Sequence, residues 1–357
     1  MNIMLKKQLG LSLVEILVAL VISLFLLGGI VQVYLGNKTA YRFSDATSRI
    51  QENGRFALDT IATDVRMAGF WGCISFQDDR DGDGQLDDDN EDIQNHLNTA
   101  SGNYNANRHD FINSPAITAT VNDGLNASDS LTLRGAKPGQ SVFVANLSAP
   151  GSADIQVSAN NSFRTNDIIL ITNCYTADIF EATGVNTNAG VTTISHTVNA
   201  PANTPGNMNI NACAGVGTHC LLDKNDGPFT PQNAAAFSLQ AVTYSIQASG
   251  SGNGEPALWR SVNNNDEELI EGVEQMQVLF GVDTDADGTP NQYLTSDNVA
   301  DLNQVTALRV SLVVRSENDG VLEDNQTYTL NGQNIVAPDR RLRQVFSSTI
   351  ALRNRAG

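Results

Sequence analysis

The apolar run from Leu11 to Leu35 constrains everything that follows it. Only Ser12, Glu15, Ser23 and Gln32 interrupt it with strongly polar side chains. A helix of about 20 apolar residues crosses the hydrocarbon core of a bilayer, so this segment is long enough to span. Lys6 and Lys7 precede it and predict a cytoplasmic N-terminus. Glu15 needs a reason, because a carboxylate in lipid is costly unless it is paired. The sharp break, Gly10, lies before the run. A secretory signal would be shorter, with its small-residue cleavage site after the apolar stretch. Cleavage at Gly10 would instead leave the apolar segment on the mature chain.

The helical pattern continues past the run. Phe43, Ile50, Gly54, Ala57, Ile61, Val65 and Ala68 recur at the spacing of one helix face, to about Gly69. Charged residues occupy the other positions, and Gly54 is a weak point worth about 1 kcal/mol relative to alanine. From about Ala116 onward the sequence changes to short segments rich in Val, Ile, Thr and aromatics, separated by Gly, Asn, Asp and Pro. These predict strands. The segment 266–282 reads as helical or extended in its first half and as a strand in its second. Residues 248–256 read as a flexible hairpin tip or short linker. The Asn-rich stretches 87–107 and 199–212 read as long surface loops. His96, His109 and His196 have no motif partner and read as surface or loop residues.

The stretch from Lys6 to Leu20, "KKQLGLSLVEILVAL", resembles the N-terminal signal of type IV pilins and their relatives. The resemblance implies cleavage between Gly10 and Leu11 by the prepilin peptidase and methylation of the new N-terminus. Glu15 then becomes the fifth mature residue, an assembly residue that neutralises the Leu11 amine of its own or a neighbouring subunit. The first mature residue departs from the family pattern, which usually has Phe there. Gln51–Cys73 and Arg340–Arg355 resemble the opening and closing segments of the PilW family of minor pilins. The implied fold is α+β, with a long N-terminal helix packed on an antiparallel β-sheet head. The implied segments are a leader (1–10), a transmembrane and filament-core helix (11–35), an amphipathic continuation (36–69) and a β-rich head (70–357).

Composition sets limits on partners. The chain has 357 residues, a formal charge of −18 and 17% charged residues. Nucleic acid, which needs a concentrated basic patch, is an unsuitable partner. Cys73, Cys174, Cys213 and Cys220 form an even set behind an export signal, which predicts two disulfides in an oxidising compartment. Three pairings are open, and the short spacing favours Cys213–Cys220 with Cys73–Cys174.

Two acidic stretches have the spacing of a calcium loop, with carboxylates at positions 1, 3 and 5 and glycine at 6. Asp79, Asp81 and Asp83 precede Gly84, with Asp87 at position 9. Asp283, Asp285 and Asp287 precede Gly288, with Asn291 at position 9. Neither has the closing Glu at position 12, so both fit weak Ca2+ sites or solvated acidic loops. No G-x-S-x-G, H-E-x-x-H, P-loop or G-x-G-x-x-G stands in a strand–helix frame, so the sequence predicts no enzyme.

The resemblance implies a subunit that waits in the inner membrane with a periplasmic head. It would then enter an extracellular pilus, at the tip, with other minor pilins, the major pilin and the assembly machinery. A tip adhesin, adhesion and twitching motility belong to the same implication. A minor pseudopilin of a type II secretion system shares the N-terminal signal, and a membrane-anchored calcium-dependent adhesin that never polymerises is the third reading.

Overall fold

The computed structural model describes residues 12–72, 93–112, 114–147, 154–159, 161–174, 177–198, 204–208, 234–263 and 265–352. The fold is α+β, with one long N-terminal helix and a predominantly antiparallel head. Helix α1 (Leu13–Met67) is unbroken over 55 residues. The chain divides into two compact units, 1–52 with 315–344 and 53–314 with 345–357.

In the first unit the apolar side chains from Leu13 to Leu35 are exposed, so the chain itself buries none of them. Further along α1, Phe43 of the expected stripe is exposed, while Ala46 and Ile50 are buried. Arg42 donates to the Asp319 carbonyl at 3.3 Å, and Arg49 lies 3.6 Å from Glu317. The 315–344 segment is organised around its arginines. The Arg341 guanidinium donates to the Ser316 and Glu317 carbonyls, and Arg343 pairs with Asp339 at 2.6 Å.

In the second unit Ala57, Ile61, Val65 and Ala68 are buried, the stripe that the helical spacing predicts. Gly54 is no weak point. A Cβ there would lie 2.5 Å from the Phe346 ring, so glycine is what lets the ring approach the helix. After Met67 the backbone bonds to the sheet, with Gly69 N–H to the Arg134 carbonyl and Ala136 N–H to the Phe70 carbonyl.

The early strands are β1 (Ile93–Asn95), β2 (Ile117–Thr120), β3 (Ser130–Leu147), β4 (Asp154–Ser158), β5 (Ile168–Thr172), β6 (Ala177–Glu181), β7 (Gly184–Asn188) and β8 (Val191–Ser195). A short helix α2 (Ala106–His109) lies between β1 and β2. The later strands are β9 (Ala235–Ala248), β10 (Pro256–Val262), β11 (Asn265–Glu271), β12 (Val273–Val282), β13 (Gln292–Leu294), β14 (Val305–Arg315), β15 (Thr327–Leu330), β16 (Gln333–Val336) and β17 (Arg343–Ala351). The large sheet runs β1-β6-β5-β9-β3-β4-β8-β7, with β10 on β9, β11 on β10 and β2 on β3. A second sheet runs β13-β12-β14-β17, and β15 pairs with β16.

One expectation is narrowed and one changes. Of the helical and extended readings of 266–282 the structure takes the extended one, because β11 extends the β9–β10 hairpin and β12, after a turn at Gly272, enters the second sheet. The Asn-rich stretch to 107 is also not all surface loop. β1 pairs in parallel with β6, and Leu97 beyond it is fully buried.

Candidate functional site

Gly10 and Leu11 lie outside the described residues. Glu15 lies in the first turn of α1, and Ser12 immediately precedes the helix. The Ser12 N–H donates to Glu15 Oε2 at 3.0 Å, and the Ser12 hydroxyl donates to the same oxygen at 3.2 Å. The Glu15 N–H donates back to Ser12 Oγ at 3.2 Å. This reciprocal pair is a capping box, which satisfies donors that a helix start leaves without an intrahelical partner. A carboxylate there also complements the positive end of the helix dipole. The S-x-x-E spacing was available in the sequence to predict the box. The bond to Ser12 N–H holds the carboxylate one residue from Leu11.

The buried face of α1 carries a polar clamp. Tyr244 on β9 is fully buried, and its hydroxyl donates to Asp64 Oδ2 at 2.6 Å. Arg260 on β10 donates to the same oxygen from Nε at 2.9 Å and contacts Tyr244 Oη at 3.2 Å. Burial first, and then the Asp64 charge, push the Tyr244 hydroxyl well above the usual tyrosine range. Burial works against the Arg260 charge, but the Asp64 hydrogen bond and charge outweigh it. Sequence spacing gave no signal for this trio, because its members are brought together only by the sheet.

The loop after β12 carries Asp283, Asp285 and Asp287, each offering an oxygen within 4.8 Å of the others. Among the described residues this is the one group of three acidic, His or Cys side chains so arranged. Gly288 has φ 85°, the turn that position 6 requires. Buried Asp283 shapes the loop by accepting the N–H groups of Asp285, Ala286 and Gly288. Burial opposes its charge, but these bonds win and hold its pKa below the ordinary value. Asn291 does not turn toward the cluster, since its Oδ1 accepts from Thr284 N–H at 2.6 Å. The donor set is three carboxylates, which suits a hard divalent cation. Asp79, Asp81, Asp83 and Asp87 lie outside the described residues, as do Cys73, Cys213 and Cys220. Cys174 follows β5 with φ 74° and is not a free thiol.

His96, His109 and His196 are buried, which corrects the surface part of their reading, while His96 and His196 do lie in loops. His96 Nε2 lies 2.6 Å from Asp178 Oδ1, and the His196 ring packs 4.6 Å from Phe180. His109 Nδ1 accepts the Asn105 N–H at 2.9 Å. Each has a polar or aromatic partner distant in sequence or within a tight turn, which spacing alone does not reveal. Next to them, buried Glu181 accepts the Gly206 N–H at 2.6 Å, and Asn207 bonds to both backbone groups of Glu181.

Residues 243–354 match the family model described as type IV pilus-assembly protein W, PilW. Residues 5–31 match the prokaryotic N-terminal methylation motif. No curated protein and no solved structure matches the chain.

Proposed function

The chain is a type IV pilin-like protein of the PilW type, and from this premise we propose that it is a minor pilin that enters a type IV pilus and helps to initiate its assembly. One observation carries the reading. A single helix runs from the methylation motif through an exposed apolar segment into the head, with Glu15 capped at its start. Such a helix can sit in the inner membrane and then pass into a filament core without refolding. Prepilin peptidase would cut after Gly10, and Glu15 would pair with the Leu11 amine of its own or a neighbouring chain. The head would lie in the periplasm before assembly and outside the cell afterwards, in a tip complex with other minor pilins. Support for adhesion and twitching motility follows from that position. A secretion pseudopilin would share the N-terminal motif, but the 243–354 match favours the pilus.

The test is recovery of the chain in sheared filaments. Wild type is expected in the filament fraction, and Glu15→Ala is expected in the membrane fraction only. Glu15→Ala filaments containing normal amounts of the chain would overturn the assembly role.

A second element of the reading concerns metal. The convergence of Asp283, Asp285 and Asp287 supports a Ca2+ ion bound there. Its role would be to fix the loop, and Asn291 would have to leave Thr284 to join it. The loop at Asp79–Asp87 and the pairing of the two disulfides are proposed on spacing alone.

A further inference from the structure

Strand β17 presents a long open edge. Ser316 N–H donates to the Leu342 carbonyl, and Leu352 N–H donates to the Thr306 carbonyl. Ser347 Oγ meets Ser311 Oγ at 2.8 Å, and Thr349 faces Arg309. These contacts share one antiparallel register, in which successive residues point their backbone groups in opposite directions. The even-numbered residues of β17 therefore bond to β14, and the odd-numbered ones point outward. Arg343 demonstrates the outward direction, because the Gln326 amide takes both its N–H and its C=O, at 2.8 and 2.9 Å. That side chain occupies the place of a neighbouring strand. Val345, Ser347, Thr349 and Ala351 have no such partner among the described residues.

An open edge of this kind invites pairing and is normally blunted by charge, proline or shortness. The other edge strands are shorter or charged. β1 and β13 have three residues each, β2, β15 and β16 have four, β7 has five, and β11 carries Asp266, Glu267, Glu268 and Glu271. β17 has nine residues, and its only charge is the buried Arg343. The stretch "VFSSTIA" combines high β propensity with no charge and no proline, the composition of a segment that pairs readily.

We propose that the β17 edge is a docking surface for an extended, uncharged segment of a different subunit of the same filament, added as a further strand. The proposal rests on the pilin reading above. A row of alternating N–H and C=O groups is matched by another extended backbone and by little else. A second copy of β17 fits poorly. Two identical edges would close on themselves about a two-fold axis, whereas a filament grows through unlike surfaces. Each copy also carries a formal charge of −18, which opposes face-to-face pairing.

The test uses the full chain in cells that make the filament. Ser347→Pro removes an outward N–H without touching the β14 ladder, and Ser347→Ala controls for the lost Ser311 contact. Thr349→Glu places a charge on the edge beside Arg309. Ser347→Ala is expected in sheared filaments at wild-type levels, with Ser347→Pro and Thr349→Glu reduced about tenfold at equal membrane abundance. A photo-crosslinker at Thr349 is expected to join a different pilus subunit. Wild-type incorporation of both edge variants, or a crosslink within the same chain or to a second copy, overturns the docking surface alone. Absence of the wild-type chain from filaments overturns the pilin reading and this proposal together.

Discussion

The Tyr244 hydroxyl donates to Asp64 Oδ2 at 2.6 Å, joining the head's central strand to the buried face of the long helix. Arg260 completes the contact from β10. Tyr244→Phe is expected to cost about 1.5–3 kcal/mol, the usual range for a hydrogen bond to a charged group. Asp64→Ala is expected to cost more, about 2–4 kcal/mol, because it leaves the Arg260 guanidinium without its counter-charge in a mostly buried position. Chemical unfolding of the full chain in detergent measures both. Equal costs would mean that Arg260 contributes nothing to the clamp.

Gly54 gives a prediction against helix propensity. Alanine is normally worth about 1 kcal/mol more than glycine inside a helix. Here the added carbon would meet Phe346 at 2.5 Å, so Gly54→Ala is expected to lower the thermal midpoint. Adding Phe346→Leu is expected to restore part of the loss. A stabilising Gly54→Ala would contradict the close approach.

Two carboxyls respond to pH in opposite directions. Hydrogen bonding to Arg343 holds the Asp339 pKa below its ordinary value. Its contribution is present above the unfolded-state pKa and is lost as pH falls through the folded one. Burial raises the Glu181 pKa, so its contribution is full below the unfolded-state value and declines as pH rises through the folded one. Hydrogen exchange across acid to neutral pH is expected to show the amides of 339–343 losing protection below about pH 4. Those of 204–207 lose protection in the other direction. A common trend in both segments would contradict the assignment.

Calcium is expected to bind at 283–287 with a dissociation constant of about 10⁻⁴–10⁻³ M, the range of extracellular sites with few ligands. Isothermal titration of the chain with calcium measures it. Asp285→Asn is the informative variant, because Asp283 also holds the loop's backbone. A binding isotherm unchanged by Asp285→Asn and Asp287→Asn together would exclude this loop as the site.

The sequence announces the elements whose information is local. The apolar run, the helical stripe from Ile50 to Ala68 and the β character of the head all follow from residue spacing, and the structure agrees. So does the acidic triad at 283–287, whose alternation brings the three carboxylates together within one loop. The clamp, the buried histidines and the Phe346 approach to Gly54 are long-range. Asp64 and Tyr244 are separated by 180 residues, and no periodicity connects them. Tertiary packing also decided between the helical and extended readings at 266–271, where an acidic segment forms an edge strand beside β10. The β17 edge was hidden for the same reason, since an edge is defined by the absence of a neighbour.

Mass spectrometry of the chain purified from its native membrane or from sheared filaments tests the central claim most directly. A mature chain that begins at N-methylated Leu11 is the predicted result, and it would make Glu15 the fifth residue of a processed pilin. A chain that still begins at Met1 would contradict the account and leave the long helix as a plain membrane anchor.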